Sequence, residues 1–225
     1  MKEKDLELQK ILSIIKDYCD LEDLTNENFS YHVIYPFENK YKGSFGWDKG
    51  VTKGVLIFHK FDFVLKFPFV GYAEEEWEEE EPYGDITYFT NADSKDGWDY
   101  CLAEVNRYQE AKEIGVENLF LEMKEIDNID GYSIYYQEYA TPFLEGTSSS
   151  NEDQRKKARD MCTKKGVGRS ISQEWLGDII NVYSINTLNN FLTFIKDFNI
   201  GDLHNGNIGY QGDHPVVIDY GDYYD

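Results

Sequence analysis

Leu6, Leu8, Ile11, Leu12, Ile15 and Cys19 recur at mainly helical spacing, which predicts an amphipathic first helix. From Phe29 to Phe69 the rhythm changes to aromatic and β-branched runs, Tyr31–Tyr35, Gly54–His59 and Phe61–Phe67, with glycines at 43, 46, 50 and 54 between them. Such runs broken by glycine predict an antiparallel meander with short turns. Ser94–Ile114 returns to helical spacing, with Trp98, Leu102, Val105, Tyr108 and Ala111 on one stripe and Glu104 beside it. Leu119–Lys124 and Tyr132–Glu138 read as two further strands, the second bounded by Asp130–Gly131 and ended by Pro142. Gly146–Gly168 is polar, Ser-rich and then basic, and predicts a loop and a partly ordered helix. Ser184–Phe198 predicts a firmer helix with Leu188, Phe191, Leu192, Ile195 and Phe198 inward. No internal repeat is visible. Strands grouped first and helices later indicate an α+β fold rather than an alternating parallel sheet.

Composition narrows the functional classes. The 225 residues are 41% hydrophobic and 16% aromatic, enough for a folded core. No apolar run is long enough to span a bilayer. The amino terminus, MKEKDLELQK, carries charges where a signal peptide needs its apolar stretch, so a cytoplasmic protein is expected. Cys19, Cys101 and Cys162 are too scattered for a zinc cluster and odd in number, as reduced structural thiols would be. The formal net charge of −21 argues against nucleic-acid and membrane partners, because phosphate contacts need clustered Lys and Arg. It also repels ATP at long range, so a nucleotide site needs its own cations and metal. The block EEEWEEEE at 74–81 reads as a solvated loop, and as a docking site for a basic partner in the sharper reading.

The end of the chain carries the chemistry. Phosphoryl transfer requires a metal held by carboxylate and amide oxygens and a carboxylate that orients the attacking hydroxyl. Asp202 and Asn207 sit five apart with Gly206 between them. Asp219 follows after the turn Gly212–Asp213 and a strand, Pro215–Ile218. One carboxylate for the hydroxyl, with one amide and one carboxylate for Mg²⁺, meets that requirement.

GDLHNGNIG followed by VVIDYG resembles the catalytic loop and metal-binding motif of the protein-kinase-like superfamily. The wording Gly-Asp-Leu-His-x-Gly-Asn is closer to its aminoglycoside phosphotransferase, choline kinase and atypical kinase branch than to eukaryotic protein kinases. The resemblance implies a two-lobed fold: an N-lobe of antiparallel sheet plus helix over 1–140, and a reduced, mainly helical C-lobe over 141–225. It implies ATP and Mg²⁺ as cofactors, Asp202 as catalytic base, His204 near the transferred phosphate, and Asn207 and Asp219 as metal ligands. Phe61–Phe67, FDFVLKF, resembles the strand of the phosphate-binding lysine and makes Lys66 its candidate. Glu104 is the candidate ion-pair partner, with Glu110 and Glu113 as competitors. Gly43 and Gly46 fall where the family keeps its glycine-rich loop, although an ordinary hairpin turn reads equally well. Gln137–Ala140, with Gln137 and Tyr139, falls where the hinge would grip adenine.

Three features depart from the family pattern. Ile200 stands where the catalytic loop usually begins with His. The acidic block and Tyr83–Gly97 lengthen the spacing from Lys66 to Glu104. The chain stops at Asp225, soon after Asp219-Tyr220-Gly221, with no helices beyond; this resembles the minimal kinases that some bacterial pathogens and phages deploy as effectors, inside a host cell. The leading expectation is a minimal kinase acting on Ser, Thr or Tyr of a protein partner, one with a basic surface suiting this acidic chain. A pseudokinase that binds and blocks a partner, and a small-molecule phosphotransferase, are the alternatives.

Overall fold

Glu3 and Asp5 open the first helix, α1 (Glu3–Tyr18), and Lys16 lies in its last turn, so the charges complement the helix dipole. Ile11, Leu12 and Ile15 are its buried stripe. The computed structural model describes residues 3–50, 52–69, 73–75, 86–88, 99–168 and 170–220. Trp77, most of the acidic block and the expected helix start at Ser94–Trp98 lie outside the described residues. The chain divides into two units, Met1–Leu102 with Lys124–Gln137, and Ala103–Met123 with Glu138–Asp225.

In the first unit, α1 is followed by a π-helical turn, Ser30–Ile34, that runs into α2 (Tyr35–Lys40). The strand expected over Tyr31–Tyr35 is therefore helical. Phe29, Val33, Ile34 and Phe37 are buried at helical spacing, whereas Tyr31 and Tyr35 are 68% and 52% exposed. The strands β1 (Gly46–Lys49), β2 (Lys53–Phe58) and β3 (Phe63–Pro68) form the expected antiparallel meander. A separate antiparallel pair is made by β4 (Ala73–Glu75) and β5 (Ile86–Tyr88). The main sheet is completed by β6 (Met123–Ile129) and β7 (Tyr132–Glu138), in the order β1-β2-β3-β7-β6. Asp130 and Gly131 join the last two with φ of 53° and 94°, a left-handed two-residue turn that glycine and aspartate tolerate. The strand expected over Leu119–Lys124 starts only at Met123, because Leu119 ends a 3-10 turn, Glu117–Leu119.

The register sorts the sheet's two faces. Leu56, Phe58, Phe63, Leu65 and Phe67 share an apolar cluster with Ile11, Ile15, Phe29, Val33 and Phe37. A Cβ at Gly54 would run into the Phe29 ring, so a larger residue there would force the packing to shift. The opposite face of β2 and β3 carries Lys53, Val55, Ile57, Val64, Lys66 and Pro68, with Val55 opposite Lys66 and Lys53 opposite Pro68.

Helix α3 (Tyr100–Ile114) starts in the first unit, where Asp99 accepts the Leu102 amide at 2.9 Å as its cap. Beyond Leu102 it belongs to the second unit. Its stripe is rotated. Leu102 is 45% exposed, while Cys101, Glu104 and Ala111 are buried.

The second unit contains β8 (Thr141–Pro142), α4 (Glu152–Lys165), α5 (Gln173–Val182), α6 (Ile185–Asp197), β9 (Ile208–Gln211) and β10 (His214–Val217). The helix expected to be partly ordered in Gly146–Gly168 is a full α4, started by a reciprocal Asn151–Gln154 capping box and stopped by Gly166 at φ 71°. Ser172 and Ser184 cap α5 and α6. Trp175, Leu176 and Ile179 of α5 pack with Leu188, Phe191, Leu192 and Ile195 of α6 and with Phe120, Ile200, Leu203, Ile208 and Val217. The Trp175 indole N–H donates to the Gly209 carbonyl at 3.0 Å, tying α5 to β9. The fold is thus α+β, with an antiparallel main sheet and, among the described residues, six α-helices. Among the same residues, no helix is long and apolar enough to cross a membrane.

Candidate functional site

The strip 201–219 is built as an anchored loop on a hairpin. Helix α6 ends where Asn199 turns left-handed at φ 50° and the Ile200 amide donates to Ile195 O at 2.8 Å. Ile200, Leu203 and Ile208 are buried in the second unit's core, and this alternation leaves Asp202 and His204 exposed and Asn207 half-buried. Loop residues are thereby held by apolar neighbours rather than by regular structure.

Asn207 is the hub. Its side-chain amide donates to Asp202 O at 2.8 Å and to Asp202 Oδ2 at 3.2 Å. Its main-chain N–H donates to His204 O at 2.9 Å. Its carbonyl accepts the amides of Ile218 at 2.7 Å and Asp219 at 3.3 Å. The His204 imidazole Nδ1 accepts the Gly206 amide at 3.0 Å, and its Nε2 lies 3.8 Å from Asp202 Oδ1. A Cβ at Gly206 would approach the His204 ring to 2.8 Å, so glycine permits this close turn. Strands β9 and β10 pair in register, Ile208 opposite Val217, which returns the chain beside Asn207 and delivers Asp219 there. Tyr220 locks the exit: it is buried, its hydroxyl donates to Leu121 O at 2.5 Å, and its ring lies 5.1 Å from that of Phe120.

Asp202, His204, Asn207 and Asp219 are therefore gathered on one short stretch. With its amide N–H group committed to Asp202, Asn207 offers its side-chain oxygen as an acceptor, and Asp219 offers a carboxylate. These are the hard oxygen donors that magnesium takes, normally one or two from protein with the rest from phosphate and water. Among the described residues, no group of three or more His, Cys, Asp or Glu is placed to hold a metal ion.

The other sequence-predicted residues are placed as follows. Lys66, in the first unit, is 3% exposed on β3, and a lysine so buried needs compensating polar or anionic contacts. Gly46 is the first residue of β1 and Gly43 precedes it, while the turn from β1 to β2 falls between Lys49 and Lys53. Gly43 and Gly46 therefore do not form that turn. A Cβ at Gly43 would strike the Tyr41 ring, so packing favours glycine there. Gln137 is buried at the end of β7, and the chain passes from the first unit to the second between Gln137 and Glu138. Tyr139, in the second unit, is half-buried. Glu104 is wholly buried on α3, which separates it from its competitors. Glu110 is engaged by Arg107 at 2.7 Å, and Glu113 is exposed.

Two groups were not singled out from the sequence. Lys53 is as buried as Lys66 and shares its face of the sheet, but as the first residue of KGVLIF it reads as a surface charge at a strand end. Asp178 is buried on α5 and accepts the hydroxyls of Tyr210 at 2.5 Å and Ser149 at 2.9 Å. Its place in an otherwise apolar helix, EWLGDII, was the available signal. No protein-family model, curated protein or solved structure matches this chain.

Proposed function

We propose that this chain is a minimal kinase that uses ATP and Mg²⁺ to phosphorylate a hydroxyl of a protein partner. The observation that carries the reading is the Asn207-centred arrangement that brings Asp202 and Asp219 to one loop. Asp202 is assigned the hydroxyl proton: as the acceptor oxygen bonds to the terminal phosphorus, the bond to the ADP oxygen breaks and the proton passes to the carboxylate. Asn207 and Asp219 are assigned to Mg²⁺, His204 to the transferred phosphoryl group, and Lys66 to neutralising phosphate charge. The metal, when bound, supplies charge stabilisation on the phosphate oxygens. A net charge of −21 favours an acceptor protein with a basic surface.

A second reading, a nucleotide-binding protein that blocks its partner without phosphorylating it, is favoured by one observation. Ile200 is buried in the apolar core at the position where the family's loop usually begins with His. Thermal unfolding with ATP and Mg²⁺ tests the binding that both readings share. With ATP a hundredfold above its Kd, the midpoint should rise by about 5 °C or more. Asp219→Ala should abolish the rise, and no rise in the unmodified chain would end both readings.

A further inference from the structure

We infer that a cavity within the second unit, remote in sequence role from Asp202 and Asp219, binds an organic cation, a guanidinium or ammonium group on a short carbon body. Its volume is about 540 Å³, within the range of small-molecule sites. Phe120, Leu121 and Val216 supply apolar wall; Tyr108 and Tyr183 supply aromatic wall; Glu117, Glu122 and Glu138 supply carboxylates.

Two observations point to a cation beyond the acidic lining. Glu117 Oε2 is buried and has no hydrogen-bond partner among the described residues. A buried carboxylate oxygen lacking a donor is costly, and a ligand N–H would supply one. The same wall already holds an ammonium of its own chain: Lys112 Nζ lies 3.3 Å from Glu122 Oε1 and 4.6 Å from the centre of the Tyr108 ring. A carboxylate beside an aromatic face is the geometry that retains ammonium and guanidinium groups. Burial, with Glu122 and Glu117 close by, pushes the Tyr108 phenol upward, so the ring that already holds Lys112 stays neutral.

The site is independent of the phosphotransfer reading. Gln211 and His214 of its lining flank the β9–β10 turn, while Asn207 and Asp219 lie at the hairpin's open end.

Calorimetric titration of the whole chain with agmatine and with N-acetyl-arginine amide tests the inference. Saturable binding is expected, weakened about tenfold or more by Glu117→Gln, which removes the charge from the hydrogen bond. His214→Lys, at an exposed position of the lining, should weaken it by repulsion, while Asp202→Asn should leave it unchanged. Tighter agmatine points to a free amine and tighter N-acetyl-arginine amide to an arginine side chain of a protein; either sustains the cation site. No saturation by either probe up to about 10 mM, or equal binding in folded Glu117→Gln and His214→Lys, overturns it.

Discussion

Asn207 holds Asp202 through two contacts from one amide group, 2.8 Å to the main-chain oxygen and 3.2 Å to Oδ2. An exposed carboxylate is thereby given a fixed direction by a residue that also accepts the amides leading into Asp219. Asn207→Ala removes both contacts but leaves the carbonyl that receives Ile218 and Asp219. Chemical denaturation should show a loss of about 1 kcal/mol, the usual net worth of such bonds. Stabilisation by ATP and Mg²⁺ should disappear altogether. A variant that loses neither would detach Asn207 from the site.

Asp99 joins the start of α3 to β7, accepting the Leu102 amide at 2.9 Å and the Tyr135 hydroxyl at 2.5 Å. Burial raises its carboxyl above the ordinary value, and the Tyr135 and backbone hydrogen bonds pull it partly back. The folded state therefore holds this proton more tightly than the unfolded chain does. The resulting stability is fully present below the unfolded value and is lost as pH rises through the folded value. Relative to Asp99→Asn, the unmodified chain should gain stability on acidification through that window. Parallel urea titrations at stepped pH measure the difference, and parallel curves for the two proteins would contradict it.

The three cysteines are inert by environment. Burial pushes the Cys19 thiol up to about 12 and Cys162 up to about 11, and Cys101 is fully buried. Thiolate is the reacting form, so the folded chain at pH 8 should resist alkylation at all three positions. Mass spectrometry should find three added groups only after unfolding.

Gly54 tests the packing of the first unit. An added methyl would lie 2.4 Å from the Phe29 ring, which itself packs on Phe67 and Phe69. Gly54→Ala should destabilise by about 1–3 kcal/mol through overpacking. Gly131→Ala meets no atom within 4 Å, and its cost should come from φ 94° alone. Thermal melts of the two variants separate steric from conformational strain.

Where the sequence spoke clearly, one physical signal dominated. Leu188, Phe191, Leu192 and Ile195 repeat at helical spacing, and all four are buried in α6. FDFVLKF alternates under a turn signal, and β3 follows from Phe63. Tyr31–Tyr35 misled because tyrosine fits a strand in general, whereas the buried partners Phe29, Val33 and Phe37 lie at helical intervals. On α3 the apolar Leu102 faces out and the charged Glu104 faces in, an inversion that hydrophobicity alone cannot reveal. Helix α5 escaped notice because QEWLGDIINV carries Gly177 and Asp178 in its middle. Both are explained by tertiary contacts, Ser150 against the glycine and Tyr210 on the carboxylate. The grouping of Asp202, Asn207 and Asp219 was legible because a short loop and a four-residue hairpin leave little freedom in where those residues fall.

Phosphate transfer from γ-labelled ATP with Mg²⁺ tests the central claim most directly, with the chain alone and with cell lysate as acceptor. Label should appear on the chain itself or on a lysate protein, and Asp202→Asn and Asp219→Asn should each cut it by about a hundredfold or more. Transfer that is absent, or equal in all three proteins, would contradict the kinase account.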